Sequence, residues 1–539
     1  MTVLASLLAL AAFAFFAWRR LLTYLHIYQQ EEYDSPRFLR WLIKTRSFDQ
    51  RATLNAALLS GALYALHRFT ALQPRMLTLL AGLSFALLFL TAALREQNPI
   101  KAAKKKLVMT SRAKRIHALA FALCLLATYP LSALPTPLIW ILAIQIIPLM
   151  LTWGNGLLSP FEQAIKKKIM DEARARLAEV NPETVGVTGS FGKTSVKHIL
   201  GHILRVNAPT LYTPGSVNTL MGVSRIIREN LDDGCKFFIV EMGAYGRGSI
   251  ARLCDLTPPK AGIITAIGEA HVERFKTLDN VARTKFELAE AVLANAKQPI
   301  IIHESVLAQD YAREFVARER ARFIVCGQSP DADMVIEKFE QTATGLTISM
   351  RHQGHTHALF VPLYGEHHVG NVALAFATAL SLGIPAERAS AALRTVPQIQ
   401  HRLEVKPQTD GTFTIDDAYN ANPLGFKSAL KLLRQLGETQ KGRCILVTPG
   451  LVEMGDKHDQ AHRELGREAA KYADIVLAVA ADRIPTFVEG FQSVEPQKLI
   501  QPVPSFAAAR LWLGQNLRAN DVVLLENDLP DLYETRLCL

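Results

Sequence analysis

Apolar and polar positions follow one pattern before about residue 180 and another after it, and the two parts predict different architectures. In the first part, apolar stretches fall at residues 2–18, 52–67, 76–94, 116–134 and 136–153. A bilayer core takes about 20 apolar residues of helix, so these stretches predict about five transmembrane helices. The second, the most interrupted by polar residues, could instead lie in the membrane interface. None of the five holds an Asp, Glu, Lys or Arg. Paths for ions or substrates retain such groups at a cost, so an anchor or lipid-docking platform is expected here and not a conduit. The first stretch has no basic segment ahead of it and runs into Arg19 and Arg20 instead of a small-residue cleavage site. It is expected to stay on the protein.

Beyond residue 180 short apolar runs alternate with helical periodicity. Thr184–Val187 predicts a strand, the apolar positions Val196, Ile199, Leu200, Ile203 and Leu204 predict a helix, and Phe237–Val240 and Ala261–Ile267 predict further strands. A helix is expected over Val281–Leu293. The fold class is therefore multi-domain: N-terminal transmembrane helices followed by α/β domains, the first built around a phosphate loop.

Charge sharpens the division. The net charge of +11 would invite a nucleic-acid reading, but residues 1–180 hold 22 Lys/Arg against 9 Asp/Glu, leaving the remainder slightly acidic. A basic excess confined to the apolar third marks cytoplasmic loops, so no nucleic-acid partner is expected. The basic loops Arg19–Arg51 and Arg95–Arg115 (with Lys104, Lys105 and Lys106) and the run Lys166–Lys168 would all lie inside. The N-terminus, the turn around Arg68 and Arg75, and the Leu134–Pro135 turn would lie outside. The six cysteines show neither pairing nor metal-ligand spacing and read as small buried hydrophobes of a reducing compartment.

Chemistry enters at TGSFGKTS, Thr188 to Ser195. Between a strand and a helix, Gly189 and Gly192 let backbone N–H groups approach an anion, Lys193 neutralises it, and the Thr194 hydroxyl can reach magnesium. The loop is shorter than the common G-x-x-x-x-G-K-[ST] spacing. Strand ends carrying Glu241 and, three residues after Gly268, His271 sit where open parallel sheets place active groups, and beside a phosphate loop the pair could hold a metal. Read alone, Lys285 is a solvated helix lysine.

TGSFGKTS, EMGAYGRGSIARL, IGEAHVERF, ARTKFELAEA, GEHHVGN (Gly365–Asn371), HRLE (His401–Glu404) and IDDAYNANP (Ile415–Pro423) follow one another in the order and spacing of the Mur ligases. The chain resembles most the branch that adds D-alanyl-D-alanine to UDP-N-acetylmuramoyl-tripeptide, over roughly Val180–Ala480. The resemblance implies a central ATP-binding domain over 181–396 and a Rossmann-like C-terminal domain over 397–539. These would follow a transmembrane region over 1–155 and a linker helix over 156–180. It implies an ATP-dependent ligase that joins a carboxylate to an amine through an acyl phosphate. Gly189, Ser190, Gly192, Lys193, Thr194 and Ser195 would cradle ATP. Thr194, Glu241 and His271 would serve magnesium, two ions in all, and Lys285 would be carbamylated to act as a further ligand. His367 and Asn371 would lie near the adenine, and Arg402, Asp417 and Asn420 would reach ATP from the C-terminal domain. Lys193, Lys285, His271 and Arg402 would form the catalytic set.

Soluble members of that branch open with a domain for the UDP-sugar end of the substrate, where this chain has apolar helices. GAYGRGS (Gly243–Ser249) and LLENDLPDLY (Leu524–Tyr533) also depart from the branch's pattern. The expected partners are the bilayer of the inner membrane, a cell-wall peptide precursor that is lipid-linked and modified in place, and an amino acid or peptide as amine donor. The ligase domains would be cytoplasmic. A membrane-anchored γ-glutamyl-type poly-amino-acid synthase is the alternative within the same chemistry, disfavoured by the SFGKTS and IDDAYNANP forms. An ATP-driven transporter or flippase is the alternative of another class, disfavoured by uncharged spans and by Lys285 and DDAYNANP, which a motor would not need. A degenerate ATP-binding scaffold fits worse, since each expected phosphate and metal position is occupied.

Overall fold

The computed structural model describes residues 2–70, 72–100, 106–131, 138–268, 275–296, 298–342, 344–418, 423–452, 454 and 457–527. His271, Asn420, Cys538, the Leu134–Pro135 turn and most of LLENDLPDLY lie outside them. The chain divides into two compact units, residues 1–166 and 167–528.

The first unit is helical: α1 (Thr2–Gln30), α2 (Ser35–Lys44), α3 (Gln50–Phe69), α4 (Pro74–Arg95), α5 (Ser111–Leu131) and the first part of α6 (Ile139–Val180). Phe13, Phe16, Phe85 and Phe89 are fully buried between α1 and α4, with the rings of Phe13 and Phe89 5.1 Å apart and Trp140 5.1 Å from Phe89. Gly82 permits the close approach, since a Cβ there would stand 2.7 Å from the backbone of Ala5. Asp34 and Asp49 accept the backbone N–H of Arg37 and Ala52 and so cap α2 and α3.

Among the described residues three helices are long and apolar enough to cross a membrane: α1 from Val3, α4 and α6. α3 (20 residues) and α5 (21 residues), expected as crossings, are close in length to α4 (22 residues). The first turn of α5 carries Arg112, Lys114 and Arg115, and α3 is interrupted by Arg51, Asn55, Ser60, His67 and Arg68. α1 continues twelve residues past the first apolar stretch, taking Arg19 and Arg20 into the helix. Arg20 is buried there, paired with Asp49 at 3.0 Å and Glu96 at 3.2 Å. The linker helix expected over 156–180 is helical and continues directly from the last apolar stretch. α6 is one helix through residue 180, with Pro148 and Pro160 inside it, because a change from apolar to basic composition at Lys166 does not interrupt helical geometry.

In the second unit nine of the described strands form one sheet: β1 (Glu183–Thr188), β2 (Thr210–Tyr212), β3 (Phe237–Glu241), β4 (Ala261–Ile264), β5 (Ile300–His303), β6 (Phe323–Gly327), β7 (Met334–Thr342), β8 (Gly345–His352) and β9 (His355–Val361). Their order is β2-β3-β1-β4-β5-β6-β7-β8-β9, parallel through β7 and antiparallel thereafter. Helices α7 (Lys193–Asn207), α8 (Leu220–Asn230), α9 (Ser249–Leu256), α10 (Leu278–Asn295), α11 (Asp310–Arg318), α12 (His368–Ser381) and α13 (Ala386–Leu393) accompany it. The apolar positions of α7 read from the sequence are all fully buried, which seats the helix directly after β1.

A second sheet, β10 (Glu404–Pro407), β11 (Phe413–Asp417), β12 (Cys444–Thr448), β13 (Ile475–Val479), β14 (Leu499–Val503) and β15 (Val522–Glu526), has the order β10-β11-β15-β12-β13-β14. Only its β10 edge is antiparallel. It packs with α14 (Pro423–Gln440), α15 (His458–Tyr472), α16 (Pro485–Val494) and α17 (Phe506–Asn516). Five of the cysteines are free and buried.

Candidate active site

β1 lies between β3 and β4, so the loop leaving its carboxyl end emerges between two neighbouring strand ends, the place where open α/β sheets bind ligands. Gly189 has φ +145° and Gly192 φ +81°, and a Cβ on Gly192 would come 2.6 Å from Asn371 Oδ1. The loop is pinned to the end of β4: the Ser190 N–H donates to the Ala266 carbonyl at 2.8 Å, Ser190 Oγ exchanges hydrogen bonds with Gly268, and Thr265 Oγ1 donates to the Phe191 carbonyl. Lys193 Nζ donates to the carbonyls of Gly189 (2.8 Å) and Ser190 (3.2 Å), and Ser195 is buried in the first turn of α7.

Glu241 ends β3 beside the loop. Its Oε2 accepts from Thr194 Oγ1 at 3.0 Å and from Lys197 Nζ at 2.8 Å, and its Oε1 accepts from Asn218 Nδ2 at 3.0 Å. Burial pushes this carboxyl up, but Lys197 and Lys193 outweigh it and hold the group below its ordinary range. Thr194 and Glu241 thus offer adjacent hard oxygen atoms, a donor set that fits magnesium.

Lys285, on α10, lines the same pocket as Gly189, Ser190, Lys193, Asn218 and Tyr245. It is not the solvated lysine that its helix suggests. Burial, with Lys193 adding to it, drives its amine well below the usual lysine range. Lys193 itself is lowered by burial, against the pull of Glu241.

The later motifs converge on the same region. Asn371 reaches the phosphate loop at Gly192. His367 Nδ1 lies 3.5 Å from Ser428 Oγ on α14, and burial together with Arg402 lowers His367 to about 4. The Arg402 charge also lowers Lys193, Lys197 and His368. Asp417 accepts from the Leu403 N–H at 3.2 Å, and burial raises it to about 6 although Arg402 opposes the shift. Beside it Glu526, fully buried, is raised well above its ordinary value by burial, then by the charge of Asp417 and a side-chain hydrogen bond shared with it.

Sequence reasoning missed Lys197, Asn218, Thr265, Tyr245 and Glu526. Lys197 carried a signal: it follows Lys193 by four residues, on the same face of α7. A further group, His401, Glu404 and Asp416, brings one ligand atom from each within 4.8 Å. Lys406 already pairs with both carboxylates, at 2.8 and 3.0 Å, so the group is closed by its own cation.

A phosphate loop with an adjoining Thr–Glu oxygen pair, a buried lysine lowered well below its ordinary range and charges contributed from a second α/β domain fit the class of ATP-dependent ligases that activate a carboxylate. Residues 187–379 match the Mur ligase middle domain and 401–526 the Mur ligase, glutamate ligase domain. The chain belongs to the Mur ligase family and is an ATP-dependent ligase. It is 28% identical over 390 residues to the UDP-N-acetylmuramoyl-tripeptide–D-alanyl-D-alanine ligase of Mycobacterium leprae, covering 67% of this chain and 73% of that one. To the enzyme of the same name from Bacillus subtilis it is 28% identical over 294 residues, covering 54% of this chain and 62% of that one. The crystal structure of MurF from Acinetobacter baumannii superposes with a TM-score of 0.58 at 26% identity, covering 68% of this chain and 78% of that one. The MurF ligase of Thermotoga maritima, solved in complex with ADP, shares the fold with a TM-score of 0.58 at 23% identity, covering 69% of this chain and 82% of that one.

Proposed function

We propose that the chain is a membrane-anchored ligase of peptidoglycan assembly: it phosphorylates a carboxylate of a cell-wall peptide precursor with ATP and passes the acyl group to the amine of an amino acid or peptide. The observation that carries this reading is the meeting of Lys193 and Lys285 at one pocket, beside the Glu241 carboxylate that Thr194 and the pocket residue Asn218 hold by hydrogen bonds.

A carboxylate is a poor acyl donor because an attacking amine would have to expel oxide. Moving the γ-phosphoryl group onto it provides phosphate as leaving group. The protein's share is positioning and charge. Backbone N–H groups of the loop between Gly189 and Lys193, apart from that of Ser190, and the Lys193 ammonium hold the phosphates. Arg402 neutralises charge arriving on the transferred group. Thr194 and Glu241 would hold magnesium, which when bound offsets the charge of the phosphate oxygens. His271 belongs to the same proposed set. Lys285, whose amine burial lowers well below the usual lysine range, is suited to take up CO2 as a carbamate and so present oxygen in place of nitrogen. Asn371 and His367 would flank the adenine, with Asp417 and Asn420 reaching the nucleotide from the second domain. Exclusion of water on closure protects the acyl phosphate from hydrolysis.

The helical unit supports the anchor. Leu83, Leu87, Leu90 and Leu94 on α4, and Val3, Leu4, Leu7 and Leu8 on α1, are exposed, an outward apolar surface that lipid would cover. The cationic stretch Arg95–Arg115 argues for α3 and α5 as additional crossings, since only five passes with the N-terminus outside keep it, Arg19–Arg51 and Lys166–Lys168 all cytoplasmic. Held at the inner leaflet, the ligase would meet a lipid-linked precursor at raised effective concentration. The test is ADP release by the detergent-purified chain in the presence of carboxylate and amine together. Release that needs both supports the ligase, and release indifferent to either contradicts it.

A further inference from the structure

Lys197 is unused by the chemistry above, yet its side chain is only 2% exposed. Its ammonium makes two bonds: one to Glu241 Oε2 at 2.8 Å, the other to the carbonyl of Gly215. Gly215 belongs to the segment 213–218, which touches Glu241 at two further points. The Glu241 N–H donates to Thr213 Oγ1 at 3.1 Å, and Asn218 Nδ2 donates to Glu241 Oε1 at 3.0 Å. Asn218 in turn accepts from the Tyr245 hydroxyl at 3.3 Å and, through its carbonyl, from the Gly243 N–H at 2.9 Å. Gly243 has no room for a side chain, since a Cβ would stand 2.6 Å from Asn218 Oδ1. Asn218, Gly243 and Tyr245 line the pocket together with the phosphate loop. One buried cation therefore joins the helix that carries Lys193 and Thr194, the carboxylate beside them, and the pocket wall made by a segment remote in sequence.

We propose that Lys197 is a positioning residue that couples the phosphate loop to the opposite wall of the pocket, by fixing the Glu241 carboxylate and the 213–218 segment with a single charge. The proposal rests on the reading of Glu241 as a magnesium-binding group and of the pocket as the ligase site. Without Lys197 the carboxylate keeps Thr194 and Asn218 as donors but loses its nearest cation, so it can turn away from Thr194 and release the Gly215 backbone. Binding of nucleotide and metal then no longer orders the opposite wall.

A purely structural ion pair would lower stability and nothing else, and three variants of the full-length detergent-purified protein separate the two roles. In wild type, ATP with Mg2+ slows amide hydrogen exchange across 213–218 and 243–245. In Lys197→Met that slowing disappears, and Mn2+ affinity measured by electron paramagnetic resonance falls about tenfold, the scale usual for groups that orient a metal ligand. Lys197→Arg keeps the charge and restores part of the metal affinity. Thr213→Val removes a different bond of the same segment to Glu241 and reduces the ATP-dependent slowing even where Lys197→Met is too unstable to study. Unchanged Mn2+ affinity in Lys197→Met, or ATP-dependent slowing that persists in both Lys197→Met and Thr213→Val, overturns the proposal. Neither readout needs a known acceptor. Coupling seen in a chain that condenses no carboxylate with any amine would remove the ligase reading while leaving the role of Lys197 intact.

Discussion

Lys285 and Lys193 line one pocket, and burial together with the Lys193 charge lowers the amine of Lys285 well below the usual lysine range, which favours its neutral form. A neutral amine is the form that attacks CO2, losing a proton as the N–C bond forms. Isotopically labelled CO2 is expected to give a carbamate carbon signal in magnetic resonance spectra of the wild type that is missing in Lys285→Ala, and activity is expected to fall in CO2-depleted buffer. A wild-type spectrum without that signal would exclude the modification.

Gly192 adopts a left-handed backbone with Asn371 pressed against it. Gly192→Ala adds both backbone strain and a clash, on the order of 1–3 kcal/mol. ADP affinity measured by titration calorimetry is expected to fall roughly tenfold or more, since 1.4 kcal/mol corresponds to one decade. An unchanged constant would show that the loop is not the nucleotide cradle.

Asp417 and Glu526 are register partners on adjacent parallel strands, and both carboxyls are raised by burial. Above the ordinary carboxylate range the unfolded chain ionises both groups, whereas the folded protein retains protons. Stability is therefore lost as pH rises from about 4 through about 6. Glu526→Gln removes one of the two and is expected to raise the unfolding midpoint at pH 8 by a few degrees, with the gain shrinking toward pH 4. A gain independent of pH would place the effect elsewhere.

Five membrane crossings put Phe69 outside and Lys106 inside, whereas three crossings by α1, α4 and α6 reverse both. In otherwise cysteine-free protein, Phe69→Cys is expected to react with an impermeant thiol reagent applied from outside, and Lys106→Cys only after permeabilisation. The opposite pattern would leave α3 and α5 out of the bilayer.

Much of this architecture is legible along the chain because it follows from local rules. Val196 to Leu204 repeat at helical spacing, and Gly192-Lys193-Thr194 sits where a strand gives way to that helix. What sequence does not display is which polar groups folding buries. Lys197 and Lys285 look like solvated helix lysines until α7 and α10 pack against the sheet, and Glu526 looks like an exposed strand end until β15 pairs with β11.

The central claim is tested most directly by mass spectrometry of the products formed from ATP, an amine, and lipid-linked or UDP-linked muramoyl peptides. Lys193→Ala serves as control and is expected to be about 10²–10³-fold slower or worse. The predicted result is a product lighter than the sum of its parts by one water, made by wild type and mainly from the lipid-linked acceptor. ADP formation with no condensed product across the panel would contradict it.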